Sequence, residues 1–190
     1  MTTNSSNQST PNPGLIIDGK DIAELLVGSS KNDTVDGNGG NDIASLGAGN
    51  DLFIWDPGDG SDIIDGGKDY DTLRFNGSNG SENFDLSANG DRLRLFRNVG
   101  NIIMDTESVE QVDLNAFGGE DTITVNDLSY TDVKQVNINL EGTKNSKVGD
   151  GTKDTVIVDG TTQADRIQVS SQANAILVEG LAAKVNITYA

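Results

Sequence analysis

Short apolar triplets recur at an interval of nine residues in the first part of the chain. The blocks read GKDIAELLV from Gly19, GSSKNDTVD from Gly28, GNGGNDIAS from Gly37 and LGAGNDLFI from Leu46. WDPGDGSDIID then inserts two residues before GGKDYDTLR restores the interval. Nine is not a helical period, and a Gly-rich six followed by an apolar-centred three predicts a loop and then a very short strand.

The apolar centres of these triplets predict a solenoid. A strand of three residues cannot stand alone, but stacking on the strand one coil away, at roughly 4.8 Å, buries the central side chains in a ladder. We therefore expect a right-handed parallel β-roll or β-helix in which the buried centres are Leu26, Val35, Ala44, Phe53, Ile64 and Leu73.

Apolar triplets continue after Arg74, although the Gly-Asp signature fades. Most of their centres are 9 to 13 residues apart, with one gap of 20. This spacing favours a calcium-poor continuation of the β-solenoid, with an antiparallel β-sandwich as the alternative. The triplets lie at 84–86, 93–95, 102–104, 112–114, 123–125, 136–138, 156–158, 167–169, 176–178 and 185–187.

The chain therefore divides into three predicted segments of an all-β protein. Residues 1–14, rich in Ser, Thr, Asn and Pro, are expected to form a disordered leader. Residues 15–75 form the repeat-containing roll, and residues 76–190 form its continuation.

Composition restricts the possible chemistry. The 190 residues carry a net charge of -17, with 23 Asp against 7 Glu, no Cys and no His. The absence of thiols and imidazoles excludes zinc, haem and iron–sulfur sites that need them, and also Ser-His-Asp and Cys-His catalysis. The acidic surface disfavours nucleic acid and anionic membranes as partners, and no apolar run is long enough to insert into a membrane.

An acid stands at the sixth place of each repeat, immediately before the strand. If nine residues form half a coil, Asp33, Asp51 and Asp71 share one edge, and Asp42 and Asp62 share the other. A hard divalent cation between stacked loops would turn the repulsion of these carboxylates into coordination, because Ca²⁺ takes six to eight oxygen ligands. Mg²⁺ fits a loose cage of carbonyls less well. The simpler alternative is that these aspartates are ordinary turn residues of a β protein.

The repeats resemble the RTX (repeats-in-toxin, haemolysin-type calcium-binding) family, whose nonapeptide is G-G-x-G-x-D-x-U-x with U a large apolar residue. The resemblance covers about residues 28–74, with a degenerate turn at 19–27 in which Glu24 replaces Asp. It implies about three calcium ions between the stacked loops 28–33/46–51, 37–42/57–62 and 46–51/66–71. The implied carboxylate ligands are Asp33, Asp42, Asp51, Asp62 and Asp71, and the implied loop positions that donate carbonyls are Gly37, Gly39, Asn41, Ala48, Asn50, Gly58, Gly60, Gly66 and Lys68.

The resemblance also implies a role. We expect a secreted, non-enzymatic module that folds when it binds calcium. The resemblance implies export through a type I secretion channel, and the first residues show no signal-peptide pattern. A scaffold or adhesive role would give it an extracellular polysaccharide or protein as partner. The alternative is a calcium-binding accessory domain of a larger secreted enzyme, polysaccharide-modifying or proteolytic. A paired-carboxylate glycosidase is a further possibility, but the repeats spread acids periodically instead of isolating two of them.

Overall fold

The computed structural model describes residues 13–189, which fold almost entirely as β-strands. The predicted leader therefore lies outside the described residues except for its last two positions. Within residues 13–189 a single 3₁₀ turn, at Val99–Asn101, interrupts the strands, and no helix there is long and apolar enough to cross a membrane. The strands are β1 Ile16–Asp18, β2 Leu25–Val27, β3 Thr34–Asp36, β4 Ile43–Ala48, β5 Leu52–Trp55, β6 Ile63–Lys68, β7 Thr72–Asn76, β8 Asn83–Asn89, β9 Arg92–Arg97, β10 Ile102–Glu107, β11 Gln111–Asn115, β12 Thr122–Val125, β13 Gln135–Asn139, β14 Thr155–Val158, β15 Gln168–Gln172, β16 Ala175–Glu179 and β17 Lys184–Thr188.

The strands form two sheets between which the chain alternates. Sheet one has the order β1-β3-β5-β7-β11-β13-β17-β16-β15, and sheet two has the order β14-β12-β8-β9-β10-β6-β4-β2. Each strand from β1 to β5 pairs in parallel with the strand two places later in the chain. This is the pairing of a β-roll, in which one half-coil contributes one strand, and it confirms the predicted solenoid.

A column of inward side chains runs in register through sheet one. Val35 pairs with Phe53, and Phe53 pairs with Leu73. The same column continues through Val112 and Val136, so it crosses the predicted boundary between residues 75 and 76 without a break. The hydrophobic core is therefore continuous across the two predicted segments.

Sheet two contains a hairpin that the triplet spacing alone did not predict. β8 turns at Gly90-Asp91 into β9, which runs antiparallel to both β8 and β10. Gly90 has φ +72°, which suits a tight two-residue turn. β10 then pairs in parallel with β6, and β12 pairs in parallel with β8, so the solenoid resumes on both sides of the inserted strands.

Sheet one contains a second antiparallel insertion near the end of the chain. β15, β16 and β17 pair antiparallel in sequence, while β17 pairs in parallel with β13. The two insertions lengthen opposite sheets by two strands each, which keeps the sheets nearly equal at nine and eight strands. The second half is thus a solenoid with antiparallel additions, and the sandwich alternative describes only those additions.

Aromatic rings fill the core where the repeats meet the first insertion. Trp55 is fully buried and stacks on Phe75, with ring centroids 4.0 Å apart and an angle of 3° between the planes. Phe84 meets Phe75 edge-on at 6.1 Å. The indole N–H of Trp55 donates to the carbonyl oxygen of Gly60 at 2.8 Å, so the ring also fixes the loop before β6.

Replacing Trp55 by Ala should lower the free energy of unfolding by about 3–5 kcal/mol, because it removes the largest buried side chain and leaves a cavity. Urea unfolding of the calcium-saturated protein measures this. The control is Tyr130→Ala, since Tyr130 is 79% exposed and its loss should change stability by less than about 0.5 kcal/mol. Equal effects of the two changes would contradict the packing described.

Candidate metal centre

Four loops share one design on the two edges of the roll. They are 37–42 and 57–62, which lead into sheet two, and 46–51 and 66–71, which lead into sheet one. Each loop ends in an aspartate that directly precedes a strand. The four aspartates are almost completely buried: Asp42, Asp51, Asp62 and Asp71.

One oxygen of each aspartate is held by the neighbouring coil. On one edge the backbone N–H of Asp33 donates to Asp51 Oδ1 at 2.6 Å, and that of Asp51 donates to Asp71 Oδ1 at 2.8 Å. On the other edge the N–H of Asp42 donates to Asp62 Oδ1 at 2.8 Å. The carboxylates thus form two ladders along the axis, on the edges that the nine-residue period predicts.

The second oxygen of each aspartate has no partner. Oδ2 of Asp42, Asp51, Asp62 and Asp71 is buried and accepts no hydrogen bond within the described part of the chain. An unpartnered buried carboxylate oxygen is costly, and an ion pair or a metal ion is the usual compensation. These four atoms therefore fit a cation that the described residues themselves do not supply.

The backbone of the four loops turns in the same way. The second and fourth residues of each loop have positive φ, from +54° at Asn38 to +140° at Gly40. Positive φ is the left-handed region that residues other than Gly rarely adopt, so the four loops share an unusual backbone conformation. The other members are Gly47 and Gly49, Gly58 and Gly60, and Gly67 and Asp69.

Stacking brings the loops so close that some side chains cannot fit. A Cβ at Gly60 would lie 1.6 Å from the carbonyl oxygen of Gly40, one coil earlier. A Cβ at Gly37 would lie 2.5 Å from the unpartnered Oδ2 of Asp42, and one at Gly66 would lie 2.7 Å from that of Asp71. Small residues at these positions therefore keep space beside the carboxylates.

The remaining residues named from the sequence have different environments. The amide oxygens of Asn41 and Asn50 accept the N–H groups of Ser61 and Tyr70 in the next loop, at 3.0 and 3.2 Å. Ala48 and Lys68 pair with each other at the ends of β4 and β6, and Gly39 approaches the backbone of Asp21. Gly58 is exposed, and a Cβ there would meet nothing within 4 Å.

The acidic side chains do not form a metal site by themselves. Among residues 13–189, no group of three or more Asp or Glu side chains is arranged to hold a metal ion. A cation at these loops would therefore be bound by one or two carboxylates together with backbone oxygens, which is the ligand set that Ca²⁺ accepts and that Mg²⁺ rarely does.

Burial makes the calcium-free carboxylates weak acids. It raises the pKa of Asp62 and Asp71 to about 7, with a further increase from the charges of Asp42 and Asp51 respectively. It also raises the pKa of Asp42 and Asp51. The pKa of Asp59, within loop 57–62, is raised to about 6, mainly by burial and further by the charges of neighbouring acids.

Asp33 is built differently from the other four predicted carboxylates. Ser29, the second residue of its loop, donates its backbone N–H to Oδ2 and its hydroxyl to Oδ1, and Leu15 N–H also donates to Oδ1. Burial opposes ionisation, but these hydrogen bonds outweigh it and hold the pKa of Asp33 below its ordinary value. The Asp33 carboxylate is therefore stabilised without an ion. The sequence analysis did not predict this capping by Ser29.

These loops match a known repeat. Residues 18–53 and 58–74 match the RTX calcium-binding nonapeptide repeat, in four copies. This segment therefore consists of RTX repeats, which bind calcium ions. Sequence comparison with the curated proteins finds no match.

Two solved structures resemble the chain at low identity. The AlgE6R3 subunit of the Azotobacter vinelandii mannuronan C5-epimerase is 22% identical over 90% of this chain and 74% of that one, with a TM-score of 0.35. The extracellular lipase LipA from Serratia marcescens is 13% identical over 98% of this chain, with a TM-score of 0.24. This chain covers 40% of the lipase.

The stability of the calcium-free protein should fall as the pH rises from about 4 to about 7. Below pH 3.8 the folded and unfolded states both hold the protons of Asp62 and Asp71, and above about pH 7 neither state does. Between these values the folded state binds more protons than the unfolded state, so a rise in pH destabilises it. Asp33, whose pKa is lowered, changes the stability only below pH 3.8, its ordinary pKa, and so does not oppose this decrease.

Circular dichroism of the protein in EDTA, at several pH values between about 4.5 and 7.5, measures this dependence as the β signal that remains at each pH. The double variant Asp62→Asn, Asp71→Asn should show a smaller slope, since it removes two of the titrating groups. Stability that rises with pH over this range would contradict the burial of these carboxylates as protonated acids.

Proposed function

We propose that the stacked loops bind about three calcium ions and that this binding drives folding of a secreted, non-enzymatic module. The observation that carries the proposal is the set of buried carboxylate oxygens without partners in Asp42, Asp51, Asp62 and Asp71. The pairs 37–42/57–62 and 46–51/66–71 each contribute two such oxygens. The pair 28–33/46–51 contributes one, because Asp33 is already satisfied, and it is the weakest of the three proposed positions.

Carboxylates and carbonyls would share the coordination. The proposed charged ligands are Asp33, Asp42, Asp51, Asp62 and Asp71, and the ion would offset part of their negative charge. The proposed carbonyl-bearing positions are Gly37, Gly39, Asn41, Ala48, Asn50, Gly58, Gly60, Gly66 and Lys68.

Electrostatics supports the coupling of binding to folding. Residues 18–71 carry 12 Asp and one Glu against three Lys, a net charge of -10. Unit charges about 5 Å apart repel by about 1–3 kcal/mol at effective dielectric constants between water and a protein surface. An ion that binds only the folded arrangement stabilises it in proportion to its free concentration.

Such coupling would suit a protein that functions outside the cell. Extracellular calcium modules bind with dissociation constants of about 10⁻⁴ to 10⁻³ M, far above cytosolic calcium. The chain would stay unfolded during export, for which we propose the type I route, and would fold in the extracellular medium. An extracellular polysaccharide or protein is the proposed partner of the resulting scaffold or adhesive surface.

Circular dichroism during a calcium titration tests the proposal directly. We expect the β signal to increase with calcium and to disappear on chelation with EDTA, because the repulsion between stacked loops returns. Titration with Mg²⁺ is the control and should give a much smaller gain at equal concentration. A spectrum unchanged by calcium would refute calcium-dependent folding.

Substitution of single aspartates tests which loops bind calcium. Asp51→Ala should raise the midpoint calcium concentration by about tenfold or more, equivalent to about 1.4 kcal/mol, because its loop takes part in two proposed positions. Asp33→Ala should have a smaller effect, and Asp165→Ala should have almost none, since Thr161 already binds both oxygens of Asp165. Equal effects of Asp51→Ala and Asp33→Ala would contradict the proposed pairing.

The second candidate is an accessory domain of a larger secreted enzyme, polysaccharide-modifying or proteolytic. Apolar residues exposed at the two ends of sheet one favour it, because a neighbouring domain could cover them: Ile16 is 87% exposed and Val169 is 66% exposed. Intact-mass spectrometry of the natural secreted protein separates the candidates. A mass near 20.0 kDa would support the independent module, and a much larger mass would support the accessory domain.

A further inference from the structure

A fifth loop has the same design as the four loops of the candidate metal centre, although it lies outside the RTX repeats. It spans residues 116–121, with the sequence AFGGED, and it leads into β12 on the same edge as loops 37–42 and 57–62. The nonapeptide can be recognised only in retrospect: Asp121 stands at the sixth place and Ile123 at the eighth, but Ala116 and Phe117 replace the first two glycines.

The backbone of this loop turns at the same two places. Its second residue, Phe117, has φ +65°, and its fourth residue, Gly119, has φ +117°. A phenylalanine in the left-handed region is rare and costs energy. At the fourth place the stacking is as close as in the repeats, because a Cβ at Gly119 would lie 2.6 Å from the backbone of Gly80 in the preceding loop.

Asp121 repeats the hydrogen-bonding arrangement of the repeat aspartates. It is fully buried, and its Oδ1 accepts the N–H of Glu82 at 2.8 Å. Its own N–H donates to Asp154 Oδ1 at 3.0 Å, so it sits between loops 77–82 and 149–154. Its Oδ2 is buried and has no hydrogen-bond partner among the described residues.

An unpartnered oxygen is not a general property of acids at this position. In loop 77–82, Ser78 donates its N–H and its hydroxyl to Glu82, and the buried guanidinium of Arg97 forms an ion pair with the same carboxylate. In the loop that ends at Asp165, Thr161 binds both oxygens. Neither Ser78 nor Thr161 has a positive φ. Within residues 13–189 the two properties therefore occur together: loops with positive φ at the second and fourth places are those whose aspartate keeps a free oxygen.

The surroundings of Asp121 are acidic. Burial raises its pKa to about 7, and the nearby charges of Asp154, Glu82 and Asp150 raise it further. Asp150 lies across the stack, where its Oδ2 accepts the N–H of Gly119 at 2.7 Å. These carboxylates add negative charge around Asp121, which favours a cation at its free oxygen.

We propose that loop 116–121, together with the stacked loop 149–154, forms a further Ca²⁺ site in the second half of the chain. Asp121 supplies the central carboxylate through its free Oδ2, backbone oxygens of the stacked loops complete the coordination, and Asp150 and Asp154 add negative charge nearby. The site is separate from the RTX loops, since β8, β9 and β10 lie between β12 and β6 in sheet two. This proposal rests on the proposed function only for the identity of the ion, Ca²⁺.

Calcium stoichiometry of the full chain tests this site. Isothermal titration calorimetry should show one calcium ion fewer for Asp121→Asn than for the unchanged protein. Asp165→Asn is the matched control and should leave the stoichiometry unchanged, because the Asp165 carboxylate is satisfied by its own loop. An unchanged stoichiometry for Asp121→Asn would overturn the site, whereas an unchanged protein that binds no calcium would overturn the proposed function as well.

A second measurement avoids substitution, in case Asp121→Asn fails to fold. Crystals of the unchanged protein grown with Tb³⁺ in place of Ca²⁺ should give an anomalous difference peak at about 2.3–2.6 Å from Asp121 Oδ2, the distance range of calcium ligands. Peaks at Asp51 and Asp71 without one at Asp121 would refute this site alone. Absence of peaks at all five loops would count against both proposals.

Discussion

The structure depends on placing carboxylates next to each other along an axis whose step is the spacing between adjacent strands, roughly 4.8 Å. Parallel stacking of identical half-coils puts the sixth residue of each repeat directly above its counterpart, so Asp51 is bound to Asp33 on one side and to Asp71 on the other. The backbone N–H groups satisfy one oxygen of each carboxylate. The other oxygen remains buried, so each carboxylate must either hold a proton or have its charge compensated, and the stability of the fold depends on this.

The protein compensates these charges in several ways. Where the second residue of a loop is Ser29, Ser78 or Thr161, the loop folds back and its own N–H and hydroxyl bind the acid. At Glu82 the guanidinium of Arg97 adds a permanent positive charge. Where the second residue adopts a left-handed conformation, the aspartate keeps a buried oxygen without a partner among the described residues. The conformation at the second position of the nonapeptide thus separates the loops whose acid is capped from the loops whose acid is not.

Much of the fold follows from the period of nine, because the period fixes which residues stack. The buried centres from Leu26 to Leu73 and the division of the aspartates between two edges could be predicted in this way. The antiparallel hairpin at Gly90 could not, because a triplet such as LRL shows that a strand exists but not which neighbour it pairs with. Loop 116–121 was missed because the recognisable signal is glycine, and Phe117 reaches the same left-handed conformation without it.

The capping of Asp33 by Ser29 gives the roll an asymmetry along its axis. The first described coils, which contain Glu24 and Asp33, have their carboxylates satisfied by Lys20 and Ser29, while the repeat coils behind them keep free carboxylate oxygens. In a solenoid each unit gains stability from its neighbour. The first described coils therefore give the coils behind them a neighbour whose own acids are neutralised within the chain.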